Sequence, residues 1–124
     1  MNKHDVAMVD KFIEALSTVT NDPTMSSQQQ RLLLALYVHG ATSQSKLEEL
    51  TGVKSASNSR NIAKLGKGEN AWEGTGPDLV ENIIDLHNRR TKVVQLTPKG
   101  RALVEECWKR SFGTYVSPKT TAPA

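Results

Sequence analysis

The stretch Thr42–Lys67, TSQSKLEELTGVKSASNSRNIAKLGK, decides the fold. Leu47 and Leu50 lie on one side of a short amphipathic helix that Thr42 or Ser43 caps. Gly52 makes a tight turn, because a residue without a Cβ reaches left-handed backbone angles without strain. A second helix, from about Lys54 to Leu65, turns Ile62 and Leu65 inward, with Ser59 allowing close packing beside them. Ser57, Arg60, Asn61 and Lys64 fall at i, i+3, i+4 and i+7, a spacing that predicts one exposed face. Such a face can be no more than a solvated helix surface. Here it follows a glycine turn and an amphipathic helix, and the helix carries Lys54, Arg60, Lys64 and Lys67 with no carboxylate. That is the layout of a helix-turn-helix whose second helix enters a DNA major groove.

The basic charge is segregated. Residues 50–68 and 86–104 hold nine of the sixteen Lys and Arg residues and none of the thirteen Asp and Glu. This outweighs the net charge of +3, since phosphate neutralisation needs a concentrated footprint. Leu79–Leu86 reads as a strand rich in branched residues, His87-Asn88-Arg89-Arg90 as a polar turn, and Thr91–Leu96 as the returning strand. A hairpin with a basic tip can be a plain soluble turn. Beside a basic helix it reads as a wing on the DNA backbone or minor groove, with Arg89, Arg90 and Lys92 as its contacts. Between helix and hairpin, Gly66–Asp78 (GKGENAWEGTGPD) has four glycines and a proline and reads as a loop. Trp72, its one large apolar residue, is expected to pin the loop to the domain; contact with DNA or a partner protein is the alternative.

Three further helices surround this unit. From Lys3 to about Val19, the residues Val6, Val9, Ile13 and Leu16 recur at helical spacing with Phe12 flanking. A helix with this pattern can pack on its own core. The narrow seam at a chain terminus instead predicts a dimerisation helix using Val6, Val9, Phe12, Ile13 and Leu16. Asn21-Asp22-Pro23 breaks it. Ser26 with Gln29, and Ser27 with Gln30, form overlapping capping boxes ahead of the run Leu32–Val38. That run is apolar on nearly all sides and belongs at the centre of the fold. Gly40 ends it. Thr97-Pro98 opens a closing helix to about Ser111, with Ala102, Leu103, Cys107 and Trp108 as its buried side. The tail SPKTTAPA lacks apolar content and is expected to be disordered. The fold class is mainly α with a small antiparallel β-hairpin. Residues 1–112 form one winged helix-turn-helix domain: dimerisation helix 1–20, helix-turn-helix 42–66, wing 79–97. Residues 113–124 form the tail.

Composition excludes several classes. Aromatics are only 5% of the 124 residues, too few for a platform that stacks single-stranded bases. No apolar run approaches the roughly 18 residues that span a bilayer, so no membrane partner is expected. Asp5 and Asp10 interrupt any signal pattern, and a cytoplasmic, nucleoid-associated location is expected. A single cysteine rules out an internal disulfide and a multi-cysteine zinc site. Cys107 reads as an inert buried thiol rather than a redox sensor. His4, His39 and His87 have no ligand spacing, so no metal and no other cofactor is expected. GKGENAWEGTG lacks the phosphate-loop spacing, and no nucleophile elbow, HExxH or CxxC occurs, so an enzyme is not expected.

Leu47, Leu50, Gly52, Val53, Ser59, Arg60, Ile62 and Leu65 resemble the helix-turn-helix pattern of the MarR family of bacterial regulators. Asn88-Arg89-Arg90, then Val94-Gln95-Leu96-Thr97 and Gly100, is similar to that family's D-x-R wing tip and its Leu-Thr-x-x-Gly entry to the next helix. The likeness covers residues 26–106. It implies a homodimer held by terminal helices, with recognition helices in successive major grooves of double-stranded DNA and wings at the flanking minor grooves. Promoter occupancy, hence repression, is the implied mode. Carried over by position, Ser57, Arg60, Asn61 and Lys64 would read DNA and Arg90 with Arg89 would serve the wing; the basic helix itself adds Lys54, Ser55 and Lys67 as expected DNA contacts. Many members bind small phenolic effectors between the dimer helices and the DNA-reading unit. The chain departs from the pattern in three places. Asn58 replaces a buried aliphatic, Asn88 replaces the wing Asp, and the Gly66–Asp78 loop is longer than usual. The alternative function is a winged-helix module that binds another protein, such as polymerase or a replication factor.

Overall fold

The computed structural model describes residues 2–20, 25–67, 76–84 and 92–113. In chain order these form α1 (Lys3–Thr20), α2 (Ser27–His39), β1 (Thr42–Ser43), α3 (Gln44–Thr51), α4 (Ser55–Leu65), β2 (Val80–Ile84), β3 (Lys92–Leu96) and α5 (Pro98–Phe112). The break at Asn21-Asp22-Pro23, Trp72 with its stretch of loop, the tip His87-Asn88-Arg89-Arg90 and the tail from residue 114 lie outside the described residues.

Helix α2 begins at the first of the two expected capping boxes. The Gln29 N–H donates to Ser26 Oγ at 3.2 Å, and the Ser26 N–H donates to Gln29 Oε1 at 3.1 Å. Its leucines Leu32, Leu33 and Leu36 are fully buried, and α3, α4, α5 and β3 pack round them. Val38, at the far end, is exposed, so α2 is central without being apolar on every side.

The expected hairpin is the β2–β3 pair, in register from Val80↔Leu96 to Ile84↔Lys92. A third strand joins it. Thr42 and Ser43 pair antiparallel with Val94 and Val93, giving the order β1-β3-β2. A two-residue strand has no periodicity to read, which is why the sequence did not predict it. The choice of cap for α3 is settled too: Ser43 Oγ accepts from the Lys46 N–H at 3.2 Å.

Helix α5 starts at a polar corner. The Thr97 hydroxyl donates to the Asp78 carbonyl at 2.7 Å and accepts from the Gly100 N–H at 3.0 Å. The Thr97 N–H donates to the Leu79 carbonyl, also at 3.0 Å. Helix and strand approach so closely here that a Cβ on Gly100 would stand 2.0 Å from the Leu79 oxygen. The buried stripe of α5 is Gly100, Leu103, Val104, Cys107 and Ser111. Ala102 and Trp108, expected inside, are exposed. The residue that belongs beside Leu103 is Val104. Burial pushes the Cys107 thiol up from its usual pKa.

Helix α1 packs on α5, with Met8, Ala15 and Leu16 buried and Phe12 partly buried. This corrects the predicted seam. Leu16 is enclosed in its own chain's core, whereas Val6, Val9 and Ile13 are 48%, 53% and 49% exposed. The helix therefore has two apolar stripes, and only one is covered. Among the described residues, no helix is long and apolar enough to cross a membrane.

Gly100→Ala should lower stability by about 1–3 kcal/mol, because a backbone carbonyl cannot move aside as a side chain can. Urea denaturation followed by circular dichroism measures this. A loss below about 0.5 kcal/mol, the usual range for surface substitutions, would mean that the helix and strand do not meet as described.

Candidate nucleic-acid interface

The reading helix can be only as well placed as the turn before it. Gly52 takes left-handed angles (φ 70°, ψ 10°) and its N–H donates to the Glu48 carbonyl at 2.9 Å, closing α3. The Thr51 hydroxyl donates to the Leu47 carbonyl at 2.7 Å and accepts from the Val53 N–H at 3.2 Å. Arg31 reaches across from α2 and donates from Nη1 to the Thr51 carbonyl at 2.7 Å. Asn58 is 2% exposed, and its Nδ2 donates to the Val53 carbonyl at 3.0 Å. The departure noted at Asn58 thus has a physical role. An aliphatic there would fill space but leave the Val53 carbonyl without this donor.

Helix α4 buries Asn58, Asn61, Ile62 and Leu65. Asn61 was expected on the exposed face; it is 7% exposed, and its Nδ2 donates to Gln28 Oε1 at 3.1 Å. Ser57 is half-buried. Ser59, expected beside the core, is exposed instead. The outward stripe consists of Ala56, Ser59, Arg60 and Lys64, with half-buried Ala63 between the last two, and Lys67 is exposed two residues past the end of the helix. The expected face was therefore displaced by about one residue round the helix. The signal that would have placed it lies in the apolar pair. Ile62 and Leu65 each fix the residue four before, which are Asn58 and Asn61.

Lys54, Ser55, Arg60, Lys64 and Lys67 are all exposed on or beside this helix. None of the cations among them forms an ion pair with a described residue; the described pairs are Lys46–Glu49 and Arg110–Glu106. Lys54 occupies the N-cap position without a side-chain cap bond. Lys92 is exposed at the first residue of β3, while Arg89 and Arg90 lie outside the described residues. Glu81 and Gln95 face each other across the sheet, with Gln95 Nε2 donating to Glu81 Oε1 at 2.7 Å. Among the described residues, no group of three or more His, Cys, Asp and Glu side chains is placed to hold a metal.

The sequence matches no protein-family model and no curated protein. Solved structures do resemble it. RV1404 from Mycobacterium tuberculosis superposes with a TM-score of 0.67 at 21% identity, over 91% of this chain and 74% of that one. A mutant MarR from E. coli, complexed with operator DNA, gives 0.60 at 17% identity over 83% and 67%. BpsR from Bordetella bronchiseptica, whose DNA binding is regulated by 6-hydroxynicotinic acid, gives 0.57 at 25% identity over 90% and 77%. The chain has a MarR-like winged-helix fold.

Asn58→Ala should cost about 1–3 kcal/mol, the range for leaving a buried polar group unpaired. The shift in urea midpoint reads it directly. A neutral outcome would mean that the Val53 carbonyl does not depend on the Asn58 amide.

Proposed function

We propose that the protein is a sequence-specific, double-stranded-DNA-binding transcriptional regulator that represses by occupying a promoter. The observation that carries this reading is the outward stripe of α4 with the residues just after it, where Arg60, Lys64 and Lys67 are exposed and form no ion pair with a described residue. Arg60 and Ser59 have the chemistry to contact base edges, while Lys54, Lys64 and Lys67 have the charge to hold phosphates. Lys92, with Arg89 and Arg90, would extend the contact along the backbone or minor groove. Asn61 acts differently from the first expectation: through Gln28 it holds α4 against α2, so it is a positioning residue.

The regulator acts as a homodimer. Val6, Val9 and Ile13 on α1 are half-exposed. Exposed apolar side chains at helical spacing along one helix favour a partner that covers them. A second copy of the chain would place two α4 helices on one duplex, as the likeness to DNA-bound MarR supports. BpsR responds to a small molecule, and a small-molecule effector suits this chain as well. The location that follows is the cytoplasm, on the nucleoid.

Fluorescence anisotropy with labelled duplexes, from low to moderate salt, tests the reading. Arg60→Ala should lose about 1–3 kcal/mol of discrimination between preferred and random duplex. Lys64→Ala should weaken binding to both and reduce the log–log salt slope by about 0.9. Asn61→Ala should lower stability and, by loosening α4 on α2, also reduce discrimination, whereas Arg60→Ala should reduce discrimination with stability unchanged. Duplex affinity that is weak and insensitive to salt would overturn the proposal in favour of a protein-binding module.

A further inference from the structure

A cleft of about 510 Å³ opens between α1, α2 and α5, lined by Phe12, Leu34, Tyr37, Val104, Glu105 and Trp108. Its volume is in the range of sites for drug-sized molecules. Its chemistry is one-sided. Three aromatic rings and two aliphatic side chains make the walls, and Glu105 is the one charged residue among them. The Tyr37 hydroxyl donates to Glu105 Oε2 at 3.2 Å, so its proton is already committed. Glu105 forms no ion pair with a described residue. The nearby Arg101 does not line the cleft; its guanidinium lies over the Tyr37 ring, 5.4 Å from the centroid. Trp108 is stacked on Phe112 at 4.4 Å, which fixes its indole while leaving it 53% exposed.

An anion entering this space would meet a carboxylate and find no lysine, arginine or histidine among the described residues that line it. A cation would find the reverse: a carboxylate with unused lone pairs, and aromatic faces whose quadrupoles attract positive charge. We infer that the cleft binds small organic cations, amines or quaternary ammonium compounds with an apolar body. The head is held by Glu105 and Trp108, and the body lies against Phe12, Leu34 and Val104. The inference gives the effector of the proposed regulator its chemistry and in that sense rests on the DNA-binding reading, although the binding step itself needs no DNA. The route to the reading helix is short. Helix α2, one wall of the cleft, holds α4 through Gln28–Asn61 and the turn through Arg31–Thr51.

The test uses the full chain without DNA, with Trp72→Phe so that Trp108 is the single tryptophan reporter. Benzyltrimethylammonium, benzyl alcohol and benzoate are titrated in parallel. Saturable change with the cation is expected, at an affinity at least roughly tenfold above that of either other probe. Glu105→Gln should remove that advantage. Tyr37→Phe, which releases the carboxylate from its hydrogen bond, should keep or improve cation binding and serves as the second variant if Glu105→Gln does not fold. Benzoate binding as tightly as the cation, no saturation with the cation, or an advantage unaffected by Glu105→Gln would each overturn the inference. So would loss of cation binding in Tyr37→Phe. Duplex binding measured on the same preparations is a separate readout, so failure here is distinguishable from failure of the DNA reading.

Discussion

Leu32, Leu33 and Leu36 have to leave water together, and most of the architecture follows from that. Each buried leucine contributes about 1.5–3 kcal/mol, so the three are comparable with the roughly 5–15 kcal/mol net stability of an ordinary domain. One helix can bury them only if other elements close round it, and α3, α4, α5 and β3 do so. Apolar burial has no direction, however. Orientation comes from polar bonds that would be costly to leave unmade. Arg31 ties α2 to the end of α3, Gln28 ties it to α4, and Asn58 ties α4 to the turn. The angle between the two short helices is thus set by hydrogen bonds inside a core set by leucines.

Against that background α4 is locally unfavourable in several ways. Arg60 and Lys64 are like charges at i,i+4, an arrangement that costs a few tenths of a kcal/mol in an isolated helix. Lys54 stands at the positive end of the helix dipole and provides no side-chain cap. Segments that break local rules inside an otherwise consistent fold tend to be functional. Phosphates along the outward stripe would remove each of these penalties at once.

Much of the fold was legible because its signals are periodic or punctuated. The capping box at Ser26, the left-handed Gly52 and the Thr97-Pro98 helix start each stand where the sequence puts them. What failed were choices between adjacent helical faces. On α1 two apolar stripes compete, and Leu16 belongs with Met8 and Ala15 rather than with Val9 and Ile13. On α5 the inward residue is Val104, not Ala102. On α4 the polarity of Asn58 and Asn61 concealed their burial, because their partners, the Val53 carbonyl and Gln28, are contacts no linear pattern displays. The cleft was not legible either: Tyr37 and Glu105 are brought together from helices far apart in the chain.

If two copies of α4 read one duplex, the preferred DNA must carry two matching half-sites. Selection of bound duplexes from a random pool by the purified full chain tests it most directly. A dimer with two reading helices should enrich a pseudo-palindrome whose half-sites are centred about one helical turn, 10–10.5 base pairs, apart or at a multiple of that spacing. Recovery of a pool indistinguishable from the input would contradict it, and a single unpaired site would contradict the dimeric arrangement of the reading helices.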